Sequence, residues 1–209
     1  MTRPPQHEPS TVVAATAMFV EVLVVGIGFL TGLGILAAAL AGPDNIRRLA
    51  PAAGTPLAAG AALAFAYALG ILIDRAADTA LAPARRRLRA QSFSTSAAYA
   101  QACVKLAESP VLVARADYAR SRLRICRGWV LNSILLTLAT DLALGRYPVE
   151  HRALLLATAT VLGALTTVGF YLSWHTITAT GYRKLAIQTA HAPTPTVPSQ
   201  PPTPAPQSP

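Results

Sequence analysis

Four long apolar runs limit the folds open to this chain more than any other feature. The clearest is the fourth, because residues 153–182 include no charged side chain. A helix of about 20 apolar residues crosses the roughly 30 Å of hydrocarbon in a bilayer. Such a span must satisfy its own backbone hydrogen bonds, which favours helices. We therefore predict an all-α polytopic membrane protein, a bundle of four transmembrane helices.

The other three runs differ in strength. Between Thr11 and Gly42 the only charged residue is Glu21, and residues 49–73 are uncharged. A cleaved signal peptide is an alternative for the first run, since residues 39–41 resemble a cleavage site. The run is about twice as long as the apolar part of a signal peptide, which favours a retained helix. The third run is the weakest and reaches Gly145 only by including Asp141.

The charge distribution predicts an orientation. The 209 residues carry a net charge of +9, and the segment from Asp74 to Arg127 alone holds eleven basic and four acidic residues. The positive-inside rule places this segment in the cytoplasm, and four spans then put both termini there. We expect a multi-pass protein of the plasma membrane. Because the charge is concentrated beside apolar runs, and no aromatic-interleaved groove or known motif accompanies the arginines, we do not expect nucleic-acid binding.

These boundaries divide the chain into five parts. We predict a cytoplasmic N-terminus at 1–10, two transmembrane helices within 11–73 and a basic cytoplasmic helical insertion at 74–127. Two more transmembrane helices are expected within 128–184, and a disordered Pro-rich tail at 185–209. Within the insertion, Ser96–Glu108 is expected to be a helix that ends before Pro110. The residues Asp117–Arg127 are expected to form a helix that continues into the third span. A cytoplasmic location would keep Cys103 and Cys126 reduced.

Polar residues inside the spans are the first candidates for function, because intramembrane ionisable groups are costly. Glu21 shares a helix face with Gly28 and Gly32, whose spacing favours close approach of another helix. Glu21 is therefore either an ion-responsive carboxylate or a group near the cytoplasmic interface. Asp141 aligns with Ser133 and Thr137, which indicates a water path or, more commonly, hydrogen bonds to a neighbouring helix.

The fourth span carries a stripe at every fourth residue. It runs from Ala159 through Gly163, Thr167 and Tyr171 to His175. Gly163 is a candidate packing residue, and Tyr171 and His175 are candidates for a polar path. His175 beside Asp74 could form a titratable cluster. An ordinary interfacial position beside Trp174 is the alternative, and we prefer it.

The basic insertion contains the candidate residues for contact with lipid or partner. Asp74 and Asp78 could share a divalent cation, but pairing with Arg75, Arg120 or Arg124 is the preferred interpretation. The arginines expected to face anionic headgroups or a protein partner are Arg85, Arg86, Arg87, Arg89, Arg120, Arg124 and Arg127.

No catalytic or cofactor motif is present in the sequence, since HExxH, GxSxG and P-loop patterns are absent. We expect neither an enzyme nor a bound cofactor or metal. The leading hypothesis is a helix-bundle membrane protein that self-associates or docks a partner and anionic lipid through its basic segment. The alternative is a small oligomeric channel or transporter that uses Glu21, Asp141 and His175.

Overall fold

The computed structural model describes residues 8–42, 45, 47–48, 51 and 54–190. The helices described below are α1 Glu8–Ala41, α2 Pro56–Ala80, α3 Ala82–Ser92, α4 Ser96–Ala107, α5 Pro110–Arg146 and α6 Arg152–Ala190. Helix α6 therefore includes residues 185–190, which the sequence assigned to the tail. The rest of the predicted Pro-rich tail, from His191, lies outside the described residues.

Local sequence explains where these helices begin. The side chain of Thr55 accepts a hydrogen bond from the backbone N–H of Ala58 at the start of α2, and Thr95 accepts one from Ala98 at the start of α4. Such caps satisfy N–H groups that have no partner within the helix. Helix α5 starts at Pro110, where the missing N–H costs nothing. The predicted helix break before Pro110 and the continuous helix into the third span are both confirmed.

Two prolines account for the other breaks. Helices α2 and α3 meet at Leu81, and Pro83 follows with no N–H for the carbonyl of Thr79. Tyr147 precedes Pro148 and is extended, which ends α5. His151 adopts a left-handed conformation with φ 54° and completes the short turn into α6.

Four of the helices are long and apolar enough to cross a membrane. Their candidate spans are Ala15–Ala41, Pro56–Ala80, Val111–Arg146 and Arg152–Gln188. The predicted all-α fold with four spanning helices is confirmed, and this pattern is that of a multi-pass helical membrane protein. The structure has no strand among the residues it describes.

Helix α5 is the centre of the bundle. It contacts α1, α2 and α6, whereas the described residues of α6 pack against α5, α3 and α4 but not against α1 or α2. Helices α1 and α2 cross closely at glycines, because a Cβ on Gly26 would overlap the carbonyl oxygen of Ala66. A Cβ on Gly70 would likewise overlap the carbonyl oxygen of Val22.

The apolar part of α5 has the thickness of a bilayer. Its flanking charges are Arg127 and Arg146, and the 19 residue steps from one to the other rise about 28 Å. Helix α6 runs antiparallel to α5. Two contacts define their register, because Thr167 meets Ser133 and Thr160 meets Asp141. In that register the level of Arg127 on α5 corresponds to residue 173 on α6.

Both long helices continue beyond the level of Arg127. The 17 residue steps from Pro110 to Arg127 and the 17 from residue 173 to Ala190 each add about 25 Å. Helix α3 packs against the extension of α6, and α4 packs against both α5 and α6. We call this end of the bundle, where Arg127 lies, the basic end. We call α3, α4, residues 110–127 and residues 174–190 together the basic layer.

Candidate functional site at the basic end

Four charged side chains from three helices meet at the basic end. Arg127 donates to both carboxylate oxygens of Asp74, each at 2.8 Å, and to Asp78 at 2.5 Å. Arg85 donates to the same oxygen of Asp78 at 2.5 Å. Two guanidinium groups thus balance two carboxylates, and this ion-pair cluster joins α2, α3 and α5.

The expected arginine pairing of Asp74 and Asp78 occurs, but the partners are not the ones predicted. Arg120 lies seven residues before Arg127, about 10 Å further along α5, and pairs with Asp117 at 2.7 Å. The two aspartates instead reach Arg127 and Arg85. In the parts of the chain that the structure describes, no group of three or more His, Cys, Asp or Glu could hold a metal ion.

Aromatic side chains surround this level of the bundle. Trp129 stacks on Phe170 with ring centroids 5.7 Å apart, and Tyr171 lies 5.9 Å from Trp174. Trp and Tyr concentrate at membrane–water interfaces. The aromatic residues and the ion-pair cluster therefore indicate the same boundary of the apolar segment.

Glu21 lies close to this boundary, since it bonds Ser121 and the neighbouring Val22 contacts Gly70. Glu21 is 8% exposed, and its Oε1 accepts a hydrogen bond from Ser121. Ser121 precedes Arg127 by six residues, about 9 Å away from the apolar segment. The geometry therefore corresponds to the interfacial position considered for Glu21, rather than to the bilayer midplane. The other oxygen, Oε2, is buried and has no hydrogen-bond partner among the described residues.

Asn132 is a buried polar residue that the sequence analysis did not single out. It is fully buried, and its side-chain amide donates to the carbonyl of Val25 on α1 at 2.8 Å. Gly28 provides the space for it, since a Cβ there would come close to the Asn132 amide nitrogen. The sequence feature that could have identified Asn132 is its amide side chain within the uncharged run at residues 128–140.

A seam of hydroxyl groups joins α5 to α6. The hydroxyl of Thr167 lies 2.9 Å from that of Ser133, and Thr160 donates to Asp141 at 2.9 Å. Gly163 packs directly against Thr137. The polar stripe that contains Asp141 therefore makes hydrogen bonds to a neighbouring helix, the commoner of the two interpretations. The second oxygen of Asp141, Oδ1, is buried without a partner among the residues described.

Towards the basic end of α6, the stripe predicted on the fourth span no longer faces α5. Gly163 and Thr167 contact α5, but the next buried positions are Trp174 and Thr178 rather than His175. A step of four residues turns a helix by about 400°, so a strict four-residue stripe drifts by about 40° per step. His175 consequently lies beside Tyr171, with ring centroids 6.2 Å apart, and Tyr171 is 36% exposed.

Glu21, Asp141 and His175 do not come together within one chain. Glu21 contacts α5 at the basic end, Asp141 contacts α6 near the opposite end, and His175 faces Tyr171 on its own helix. The described residues of α1 and α6 are not in contact. The three residues proposed for a channel thus occupy three separate environments.

The candidate glycines contact helices of the same chain. A Cβ on Gly32 would meet the side chain of Leu135 on α5, and Gly28 lies against Asn132 on that helix. Gly163 faces Thr137, also on α5. Gly26, which was not among the predicted packing residues, contacts α2 most closely. Its role as a packing residue depends on the angle at which two helices cross, which the spacing does not reveal.

The basic layer contains a small aromatic core that sequence reasoning missed. Phe93, Tyr99 and Tyr182 contact one another with centroids 5.3 to 6.5 Å apart, and Arg89 lies over the ring of Tyr99 at 5.3 Å. Burial raises the pKa of Tyr99 to about 12, and a hydrogen bond with Cys103 adds to the increase. Cys103 and Cys126 are free thiols.

The predicted lipid- or partner-binding arginines fall into different groups. Arg85 and Arg127 belong to the ion-pair cluster, Arg120 pairs with Asp117, and Arg89 contacts Tyr99. Arg124 is half-buried, whereas Arg86 and Arg87 are exposed.

Comparison of the chain with protein-family models, curated proteins and solved structures returns no match.

Proposed function

We propose that this chain is a non-enzymatic membrane protein whose basic layer docks a protein partner, or another copy of the chain, together with anionic lipid. The observation that carries the proposal is the projection of α5 and α6 about 25 Å beyond the apolar segment. The projection gives the arginines of α3 and α5 access to molecules outside the bilayer. By the positive-inside rule this layer faces the cytoplasm at the plasma membrane, and both termini lie on that side.

The candidate packing glycines already make contacts between helices of the same chain, and this limits how two copies could associate. Gly26, Gly28, Gly32 and Gly163 already pack against helices of the same chain. All four spanning helices still have exposed apolar side chains available to another copy, as Val24, Leu138 and Leu165 illustrate. Self-association would therefore use these outer faces or the basic layer rather than the glycine motif of α1.

A small oligomeric channel or transporter is the second candidate. The observation in its favour is that Glu21 Oε2 and Asp141 Oδ1 are buried without partners among the described residues. Unpaired carboxylate oxygens are expensive in a membrane and are often found on ion pathways. Against it, Glu21, Asp141 and His175 lie in separate places, so a path would require several copies.

An ion-flux assay separates the two candidates. The full chain is reconstituted in liposomes loaded with K⁺, and release is compared with empty liposomes and with a Glu21→Gln variant. The docking proposal predicts release equal to that of empty liposomes for both proteins. Release by the wild type that Glu21→Gln abolishes would overturn the docking proposal and support the channel.

A further inference from the structure

We propose that Arg86 and Arg87 on α3 form a binding site for the phosphate of an anionic phospholipid headgroup. This inference rests on the proposed attraction between the basic layer and anionic lipid, and it assigns that attraction to two side chains. Three features support this site: the engagement of many other arginines, the face of α3 on which the two side chains lie, and the closeness of α3 to the headgroup region.

Many other arginines of the basic layer already have a partner within the chain. Arg85 and Arg127 bind Asp74 and Asp78, and Arg120 binds Asp117. Two more lie over tyrosine rings, Arg89 over Tyr99 at 5.3 Å and Arg122 over Tyr118 at 4.7 Å. Arg86 and Arg87 are exposed and make no ion pair or ring contact with any residue that the structure describes.

The geometry of α3 directs these two side chains outward. Leu88 is 4% exposed and lies with Ala179 and Ala186 of α6 at a groove between the two helices. At 100° per residue, Arg86 and Arg87 lie on the opposite side of α3 from Leu88 and Arg85. The other residues on that outer face are Pro83 and Ala90, both exposed, so no acidic side chain of α3 competes for the arginines.

The start of α3 lies close to the headgroup region. Asp78 lies four residues beyond Asp74 on α2, about 6 Å outside the apolar segment. Arg85 donates to Asp78, whereas Leu88 lies beside Ala179 and Ala186 of α6, about 9 and 20 Å beyond the level of Arg127. The headgroup region adds about 5 to 7 Å on each side of the hydrocarbon, so the long side chains of Arg86 and Arg87 can extend back to the lipid phosphates. This position favours a lipid over a free phosphate compound.

Titration with phosphatidylglycerol tests the site. The full chain in a neutral detergent is titrated, and bound lipid is counted by native mass spectrometry. Each arginine near an anionic surface contributes about 1 kcal/mol, which is about fivefold in affinity. We expect the Arg86→Gln/Arg87→Gln double variant to bind phosphatidylglycerol about 25-fold more weakly. Glycerol phosphate, which has the phosphate but no acyl chain, should not displace the lipid.

A matched control removes the same charge elsewhere. Arg47 and Arg48 are exposed and follow α1 at the opposite end of the apolar segment, whose length of about 28 Å exceeds the Debye length of about 8 Å at physiological salt. The Arg47→Gln/Arg48→Gln variant should lose about twofold or less in affinity. Equal losses in the two double variants would overturn the site while leaving a general attraction to lipid. Absence of phosphatidylglycerol binding by the wild type would overturn the lipid part of the proposed function, and displacement by glycerol phosphate would replace the lipid with a soluble ligand.

Discussion

Arg127 on α5 binds both carboxylate oxygens of Asp74 on α2, with two N–O distances of 2.8 Å. The two side chains are 16% and 15% exposed, so the pair lies largely out of solvent. A third bond from Arg127 to Asp78 brings in α3, because Asp78 also binds Arg85. Arg127 therefore links α3 to the spanning helices α2 and α5.

We expect Arg127→Met to destabilise the protein by about 3 kcal/mol, because it leaves partly buried carboxylates without their main partner. Thermal unfolding in detergent micelles, followed by circular dichroism, measures the change. Arg120→Met is the matched control on the same helix. Its pair with Asp117 is 60% exposed on both sides, so the loss should be below about 0.5 kcal/mol. Equal losses in the two variants would show that the ion-pair cluster does not stabilise the bundle.

Gly26→Ala should destabilise the protein, because the added Cβ would overlap the backbone of Ala66 and force α1 away from α2. Backbone atoms cannot move aside as a side chain can. Gly34→Ala on the same helix is the control, since nothing lies within 4 Å of its Cβ position. Helix propensity alone predicts that Gly34→Ala stabilises the helix by up to about 1 kcal/mol. An increase in Tm for both variants would contradict the close crossing of α1 and α2.

The sequence predicts the spanning helices well and their contacts less well. Charge-free runs identify a span because a charge in hydrocarbon is costly whatever the neighbouring helices are. Which side chains contact each other depends instead on the crossing angles and the register of the helices. The sequence therefore indicated arginine partners for Asp74 but not Arg127, and it aligned His175 with Thr167 although Trp174 takes the buried place. The full burial of Asn132 could not be predicted without knowing that α1 passes beside it.

A double-mutant cycle tests the hydroxyl seam between α5 and α6. Ser133→Ala and Thr167→Val each remove one side of the 2.9 Å contact, and the double variant removes both. We expect a coupling energy of about 0.6 kcal/mol, the average for side-chain hydrogen bonds between transmembrane helices. The cycle is measured from the unfolding free energies of the four proteins in micelles. A coupling energy of zero would mean that α6 is held by packing alone.

The raised pKa of Tyr99 predicts a loss of stability at high pH. The folded protein keeps the phenol proton up to about pH 12, whereas the unfolded chain loses it near its ordinary pKa of about 10. Between these values the folded state binds more protons, so the free energy of unfolding falls as the pH rises. Tyr99→Phe should make stability less dependent on pH between about 10 and 12. Identical pH profiles for variant and wild type would contradict the burial of this phenol.

Labelling of single cysteines from one side of the membrane tests the central claim, that the spanning helices carry the basic layer on the cytoplasmic face. Ala100→Cys on α4 and Val149→Cys between α5 and α6 are made separately in a Cys103→Ser/Cys126→Ser background, since both positions are exposed. A membrane-impermeant maleimide is added to intact cells and to permeabilised cells. We predict that position 149 reacts in intact cells and that position 100 reacts only after permeabilisation. Reaction of position 100 in intact cells, with position 149 protected, would contradict the account.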